Sequence, residues 1–368
     1  LNNMRVLVLS AYHADSHRHW LDGLMRYLPN IEWTVLSLPA RYFSWRIRGN
    51  SLSWAMQQRT VLAAGYDIVL ATSMTDLSAL RGLVPELGRI PTVVYFHENQ
   101  FSYPQNTQQR SGVEPQILNI YTALAADKVL FNSDYNRRTL LAGADSLLAK
   151  LPDFAPRSEV ATQLANSQVL PVGIELHDYS PRPAGARLSV LWNHRWEYDK
   201  GPDRLLALVK ECVEHSLPLD FYIAGQQFRH HPQEFTKIKA MIEGSETLAL
   251  CQWGYVAEAS RYGELLSRCD VVLSTAIHDF QGLAVLEAVA QGCTPLVPDR
   301  LCYPEWFGEE YRYAVSDDVQ LEASACRAQL QNLLIKKEQG NLASVDVSTL
   351  SWQHLAPRYQ QIFDDLLG

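Results

Sequence analysis

Residues 270–292, DVVLSTAIHDFQGLAVLEAVAQG, decide the fold of this chain. Asp270 to Ser274 is a short apolar run of strand composition, and His278 to Gly282 is a polar turn. Leu283 to Gln291 has helical composition, with Leu283, Leu286, Val289 and Ala290 on one face. Gly292 is a natural residue for the position just past a helix end. A strand, turn and helix in that order aim free backbone N–H groups and the positive end of the helix dipole at one spot. That suits a phosphate or a sugar hydroxyl. Asp279 lies in the turn, and Glu287 follows eight residues later in the helix. Read alone, the spacing equally describes an ordinary βα unit with a solvated Asp and a surface Glu.

The same alternation of strand and helix runs through the whole sequence. In the first half, strands are expected at 5–10, 32–37, 67–71, 92–96 and 128–132, with helices near 17–27, 53–64, 75–83, 115–125 and 135–142. Strands this apolar, separated by helices, argue for a parallel sheet covered on both faces. Periodicity weakens over 152–166; a short strand at 168–171 follows, and PRPAG at 181–185 reads as a linker. The second half restarts with strands at 189–193, 219–224, 248–252 and 294–298 around the opening stretch, and with helices near 202–215, 233–243 and 258–269. The expected organisation is α/β throughout: an N-terminal Rossmann-like domain over 1–173, a second over 174–350, and a helix over 351–368 packing back across both. Two such sheets imply a cleft between them.

Composition narrows the function classes. The chain has 368 residues, 47% apolar and 20% charged, which describes a globular, soluble protein large enough for two cores. Its 32 basic and 40 acidic side chains leave a net charge of −8, so any nucleic-acid contact must come from a local basic patch. No apolar run approaches eighteen residues, and Val6 to Leu9 is too short for a signal-peptide core. All six cysteines lie in the second half without a CxxC pair. Reduced thiols in a cytoplasmic protein, with no metal site, are the expected reading.

Two further segments carry chemistry. NHRWEYDKG at 193–201 follows the first strand of the second half, which puts Arg195 and Lys200 at the carboxyl end of a strand. There they are either solvated or in place to hold a diphosphate. HENQ at 97–100 follows a first-half strand in the same way. His97 is a satisfied loop histidine or a partner for a reacting sugar's hydroxyl, and Asn99, with Asn132 at the end of the next strand, lines the same wall.

Taken together, these pieces resemble the retaining GT-B glycosyltransferases, and more closely the tRNA-queuosine α-mannosyltransferases among them. The similarity rests on HENQFSYP at 97–104, FNS at 131–133, HRWEYDK at 194–200, WGY at 253–255, residues 270–292 and YPE at 303–305. It implies that Glu287 bonds the donor ribose and that Asp279, where the family usually has Glu, bonds hydroxyls of the donor sugar. It also implies that the backbone of Phe280, Gln281, Gly282 and Leu283 holds sugar and phosphate. Arg195 and Lys200 would bind the diphosphate, Trp253 and Tyr255 would flank the base, and His97 would touch the transferred sugar. The donor implied is GDP-mannose, with no cofactor and no metal, and the acceptor is queuosine-containing tRNA, with no membrane partner.

This chain departs from that pattern at Ala14 to His17, where the family tends to have a Gly-rich turn. Asp15 would repel a diphosphate, so the loop either sits back or faces the acceptor, for which His17 is a candidate. Arg41, Trp45, Arg46 and Arg48 belong to a basic-aromatic stretch, RYFSWRIR, that suits an unstacked anticodon loop or forms an amphipathic loop at the sheet edge. Arg137 and Arg138 would extend it; His230 and His231 read as surface. A saccharide or lipid-linked acceptor with another donor, an RNA- or nucleotide-binding protein without catalysis, and a sugar-nucleotide epimerase are the competing readings.

Overall fold

A computed structural model describes residues 3–102 and 112–368. The chain divides into two compact units. One comprises Leu1–Gly173 together with Trp352–Gly368, the other Ile174–Ser351.

In the first unit the strands are β1 (Met4–His13), β2 (Ile31–Pro39), β3 (Ile68–Thr72), β4 (Thr92–Phe96), β5 (Lys128–Phe131) and β6 (Gln168–Val169). They form one sheet in the order β2-β1-β3-β4-β5-β6, every pair parallel. β3 and β4 are buried along their whole length, as expected for central strands covered on both faces. The covering helices are α1 (Asp15–Tyr27), α2 (Phe43–Gln57), α3 (Arg59–Leu62), α4 (Leu77–Leu83), α5 (Val113–Leu124), α6 (Asp134–Leu148) and α7 (Arg157–Leu164).

The second unit has strands β7 (Leu188–Trp192), β8 (Leu219–Ala224), β9 (Leu248–Gly254), β10 (Val271–Leu273), β11 (Thr294–Pro298) and β12 (Arg312–Tyr313). Their order is β12-β11-β10-β7-β8-β9, again all parallel. Its helices are α8 (Pro202–Glu214), α9 (Glu234–Glu243), α10 (Ala259–Arg268), α11 (Leu283–Ala290), α12 (Tyr303–Trp306) and α13 (Val319–Glu338). From β7 the chain moves outward to β8 and β9, then returns to lay β10 on the other side of β7. The loops leaving β7 and β10 therefore flank a topological switch point, the place where open α/β sheets bind ligands.

Two expectations need correction. PRPAG at 181–185 is no free linker: Arg182 donates to the carbonyls of Cys269 and Gln291 at 2.9 and 2.8 Å, which docks it on the second unit. The basic-aromatic stretch is no loop either, because from Phe43 onward it forms the first turns of α2.

The final helix, α14 (Trp352–Leu367), belongs to the first unit. Trp352, Leu355, Ala356, Tyr359 and Phe363 form its buried stripe. A Cβ at Gly23 or Gly173 would overlap the Trp352 indole, at 2.0 and 2.3 Å, so both positions are shaped to this side chain. The Tyr359 hydroxyl accepts from Trp20 at 3.2 Å and donates to the Pro171 carbonyl at 3.0 Å.

Candidate active site

The loop after β7 and the loop after β10 are fastened together. Both Ile277 N–H and His278 N–H donate to the Asp199 carbonyl, at 3.0 and 3.1 Å. The Thr275 hydroxyl accepts from Trp192 Nε1 and donates to the Lys200 carbonyl, at 2.9 and 2.8 Å. Gly201 has φ +66°, and a Cβ there would meet the Thr275 carbonyl oxygen at 2.0 Å, so only glycine permits this approach. Gly282, at φ +73°, makes the tight entry into α11.

Lys200 is buried, at 8% exposure. Its Nζ donates to the His278 carbonyl at 2.9 Å and lies 3.4 Å from Asp279 and 3.6 Å from Asp199. The solvated alternative for this lysine is therefore excluded. Asp279 Oδ1 accepts from Gly282 N–H at 3.1 Å, and Oδ2 accepts from the Tyr303 hydroxyl at 3.4 Å. Burial alone would raise the Asp279 pKa. The Lys200 ammonium, His194, His278 and the Gly282 amide outweigh it and hold the carboxyl below its ordinary value. His194 and His278 go the other way: burial, then the Lys200 charge, pushes each down to about 4, so both are neutral at pH 7.

Arg195 stands half exposed, 3.0 Å from Glu197. Against the two cations Arg195 and Lys200 stand three carboxylates, Glu197, Asp199 and Asp279, a local formal charge of −1. Neither cation is idle, so the anion-receptive groups added by the fold are the backbone N–H groups at the start of α11. Phe280 and Gln281 are buried in that turn, and the Gln281 carbonyl accepts from Trp306 Nε1 at 3.0 Å.

Glu287 is partly buried on α11, close enough to Tyr262 that its charge, after burial, helps raise the phenol pKa. Trp253 packs edge-on against Trp196 with ring centres 4.7 Å apart, whereas Tyr255 is exposed. His230 and His231 are exposed, as their surface reading requires.

A second layer went unnoticed in the sequence. Glu322 is 1% exposed on α13 and pairs with Arg204 at 3.1 Å and with Arg300 at 2.8 and 2.9 Å. Arg300 Nε in turn holds the Ala276 carbonyl at 2.9 Å, inside the turn after β10. His278, Tyr262 and Trp306 were likewise missed. Asp199 had a signal, since an acid directly before Lys200 is a ready counter-charge.

In the first unit, the carboxyl ends of β1, β3 and β4 gather a histidine cluster. His97 stacks on His17 with centres 4.1 Å apart and meets Trp20 edge-on at 4.8 Å. Burial, then repulsion from His17, His13 and His19, lowers the His97 pKa well below its ordinary value. Its Nε2 is buried without a hydrogen bond, so His97 is not the satisfied loop residue of the alternative reading. His17 Nε2 lies 3.2 Å from Glu98, whose other oxygen accepts from Ser73 at 3.4 Å.

Asn99 and Asn132 offer less than expected. Asn99 Nδ2 bonds Asn136 and Thr139, and its Oδ1 accepts from the Phe101 and Ser102 amides. Asn132 Nδ2 holds the His97 carbonyl at 2.9 Å, and its Oδ1 accepts from Asn136. Both shape the loop that carries His97. Tyr103 and Pro104, the end of the HENQFSYP segment, lie outside the described residues.

Phe43 and Trp45 on α2 and Tyr42 just before it are exposed, and the Arg41 guanidinium lies 5.5 Å from the Tyr42 ring centre. Arg48 pairs with Asp76 at 2.8 Å and Glu114 at 3.3 Å. Among the described residues Arg41 and Arg46 make no ion pair. Arg137 donates to the Ser167 and Ala165 carbonyls and Arg138 to Asp134, so neither extends a free basic patch.

Comparison with known proteins adds the family. Residues 5–174 match the tRNA-queuosine alpha-mannosyltransferase N-terminal domain, and residues 182–339 match glycosyl transferases group 1. The chain is 29% identical over 372 aligned residues to the tRNA-queuosine alpha-mannosyltransferase of Drosophila melanogaster, covering 98% of this chain and 96% of that one. Among solved structures, an Escherichia coli trehalose-6-phosphate protein bound with UDP-2-fluoro glucose is 14% identical, with TM-score 0.63 and 99% of both chains covered. The pneumococcal O-GlcNAc transferase GtfA, in complex with UDP and GlcNAc, is 16% identical, with TM-score 0.55; the match covers 82% of this chain but only 57% of GtfA. Two six-stranded parallel sheets in tandem, the two matched domains and a relative aligned over nearly its full length place this chain in the tRNA-queuosine α-mannosyltransferase family of GT-B glycosyltransferases, a family of hexosyltransferases.

Proposed function

We propose that this protein transfers mannose from GDP-mannose to queuosine in the anticodon loop of a tRNA, with retention of configuration. The observation that carries the reading is the buried Lys200–Asp279 pair at the entry to α11, in a chain whose residues 5–174 match a tRNA-queuosine alpha-mannosyltransferase N-terminal domain. Asp279, kept ionised and held by Gly282 and Tyr303, orients the sugar. The N–H groups at the start of α11, with Arg195 and Lys200, meet the charge that develops on the departing diphosphate. In a front-face substitution the leaving phosphate itself takes the acceptor's proton. His97, neutral and with its Nε2 unengaged, can bond a sugar hydroxyl. Tyr42, Trp45, Arg41 and Arg46 stack on and pair with the unstacked loop.

The reaction requires no metal ion, so chelation with EDTA leaves the rate unchanged. Its tRNA acceptor assigns it to the cytoplasm; no helix of the described residues is long and apolar enough to cross a membrane. Incubation with queuosine-containing tRNA and GDP-mannose adds one hexose by mass spectrometry. No mass change with any nucleotide-sugar would end this reading. Calorimetry with GDP and UDP tests the donor alone, with GDP expected to bind more tightly.

A further inference from the structure

Asn193 is the residue immediately beyond β7, at the switch point of the second sheet, and it is 6% exposed. Its Nδ2 donates to the Ala284 carbonyl in the first turn of α11 at 2.8 Å, and to the Tyr262 hydroxyl at 2.9 Å. A backbone carbonyl can only accept, so this contact fixes which way the amide points. Oδ1 is therefore the remaining atom, and it is buried with no hydrogen-bond partner. The next residue repeats the situation: His194 is 3% exposed and its Nε2 is likewise buried without a partner. Successive orphaned polar atoms at a strand's carboxyl end call for a ligand, because buried polar groups are otherwise paired.

The kind of ligand group follows from the atom. An amide oxygen accepts and cannot donate, so a phosphate oxygen facing it would be repelled, whereas a hydroxyl would bond. Glu287, near the same Tyr262 phenol, is a second acceptor. Two neighbouring acceptors suit a vicinal diol.

We propose that Asn193 is a nucleotide-recognition residue whose side-chain oxygen accepts a hydrogen bond from a ribose hydroxyl of the nucleoside diphosphate. The inference rests on the donor reading given above. It is tested by calorimetry of GDP, 2′-deoxy-GDP and 3′-deoxy-GDP against the wild type and Asn193→Ala, with thermal melting to confirm folding. The variant is expected to bind GDP about tenfold more weakly. The deoxynucleotide that lacks the bonded hydroxyl is expected to bind both proteins equally. Should Asn193→Ala not fold, Asn193→Ser carries the same comparison. Equal GDP affinity for wild type and variant would overturn the assignment, as would an equal loss for GDP and both deoxynucleotides, which marks a purely structural role. A wild type that binds no nucleoside diphosphate would instead overturn the donor reading, and this inference with it.

Discussion

Lys200 sits where its charge answers two carboxylates at once. Replacing it by methionine leaves Asp199 and Asp279 buried and facing each other, and breaking a buried pair in this way typically costs about 3–5 kcal/mol. We therefore expect Lys200→Met to lower the urea midpoint and abolish GDP binding; an unchanged midpoint would show that the acids relax into water. Acid acts on the same neighbourhood through His194. Its folded pKa of about 4 lies below the ordinary 6.5, so the unfolded chain takes up the proton first. Stability is complete above pH 6.5 and is lost as pH falls toward 4. Between pH 7.5 and 5 the loss from this one residue is roughly 2 kcal/mol. Denaturation at the two pH values should show a smaller difference for His194→Gln than for the wild type.

Helix α2 mixes polar and apolar residues on its buried face. Gly49, Asn50 and Ser51 lie there beside Ile47, Trp54 and Ala55, while Trp45, Leu52 and Met56 are exposed. Asn50 explains the polar interior: its Nδ2 bonds the Arg46 and Met74 carbonyls and its Oδ1 the Asp76 amide. Stacking of a base on an aromatic ring is worth about 1–3 kcal/mol. Trp45→Ala should thus weaken tRNA binding about tenfold in a filter-binding titration and leave GDP affinity unchanged. This mixture also hid the helix start from sequence reasoning, since apolar residues fall on both faces and leave no clear stripe. Helix α13 was hidden for another reason. Its buried positions run 322, 323, 326, 330, 333, 334 and 337, a regular helical stripe, but Glu322 and Lys337 are charged. Each is neutralised by a distant partner, Arg204 and Arg300 for Glu322, Asp270 for Lys337, which local pattern cannot foresee. By contrast, β4 and β11 were legible to the residue, because strands buried on both faces are near-continuous apolar runs, and β8 was legible as a strand with Asp220 and Tyr222 on its less buried face. At the turn before α11, motif spacing supplied Asp279, Lys200 and Glu287, but not His278 or Tyr262, whose importance depends only on what the fold sets beside them.

At the scale of the whole molecule, a net charge of −8 limits how RNA can bind. Arg46 on α2 and Arg41 just before it, without an ion pair among the described residues, predict few phosphate contacts. The logarithm of tRNA affinity should therefore fall with the logarithm of salt at a slope of about −1 to −2, at roughly −0.7 per single-strand phosphate. A slope steeper than about −5 would point to a larger basic surface than α2 provides. The division into units has a separate consequence, for synthesis on the ribosome. Residues 174–351 are contiguous and can fold as they emerge, but the first unit waits for Trp352, Tyr359 and Phe363, which are translated after the whole second unit. Until then the notch at Gly23 and Gly173 stays open, so of the two units the one begun first is completed second.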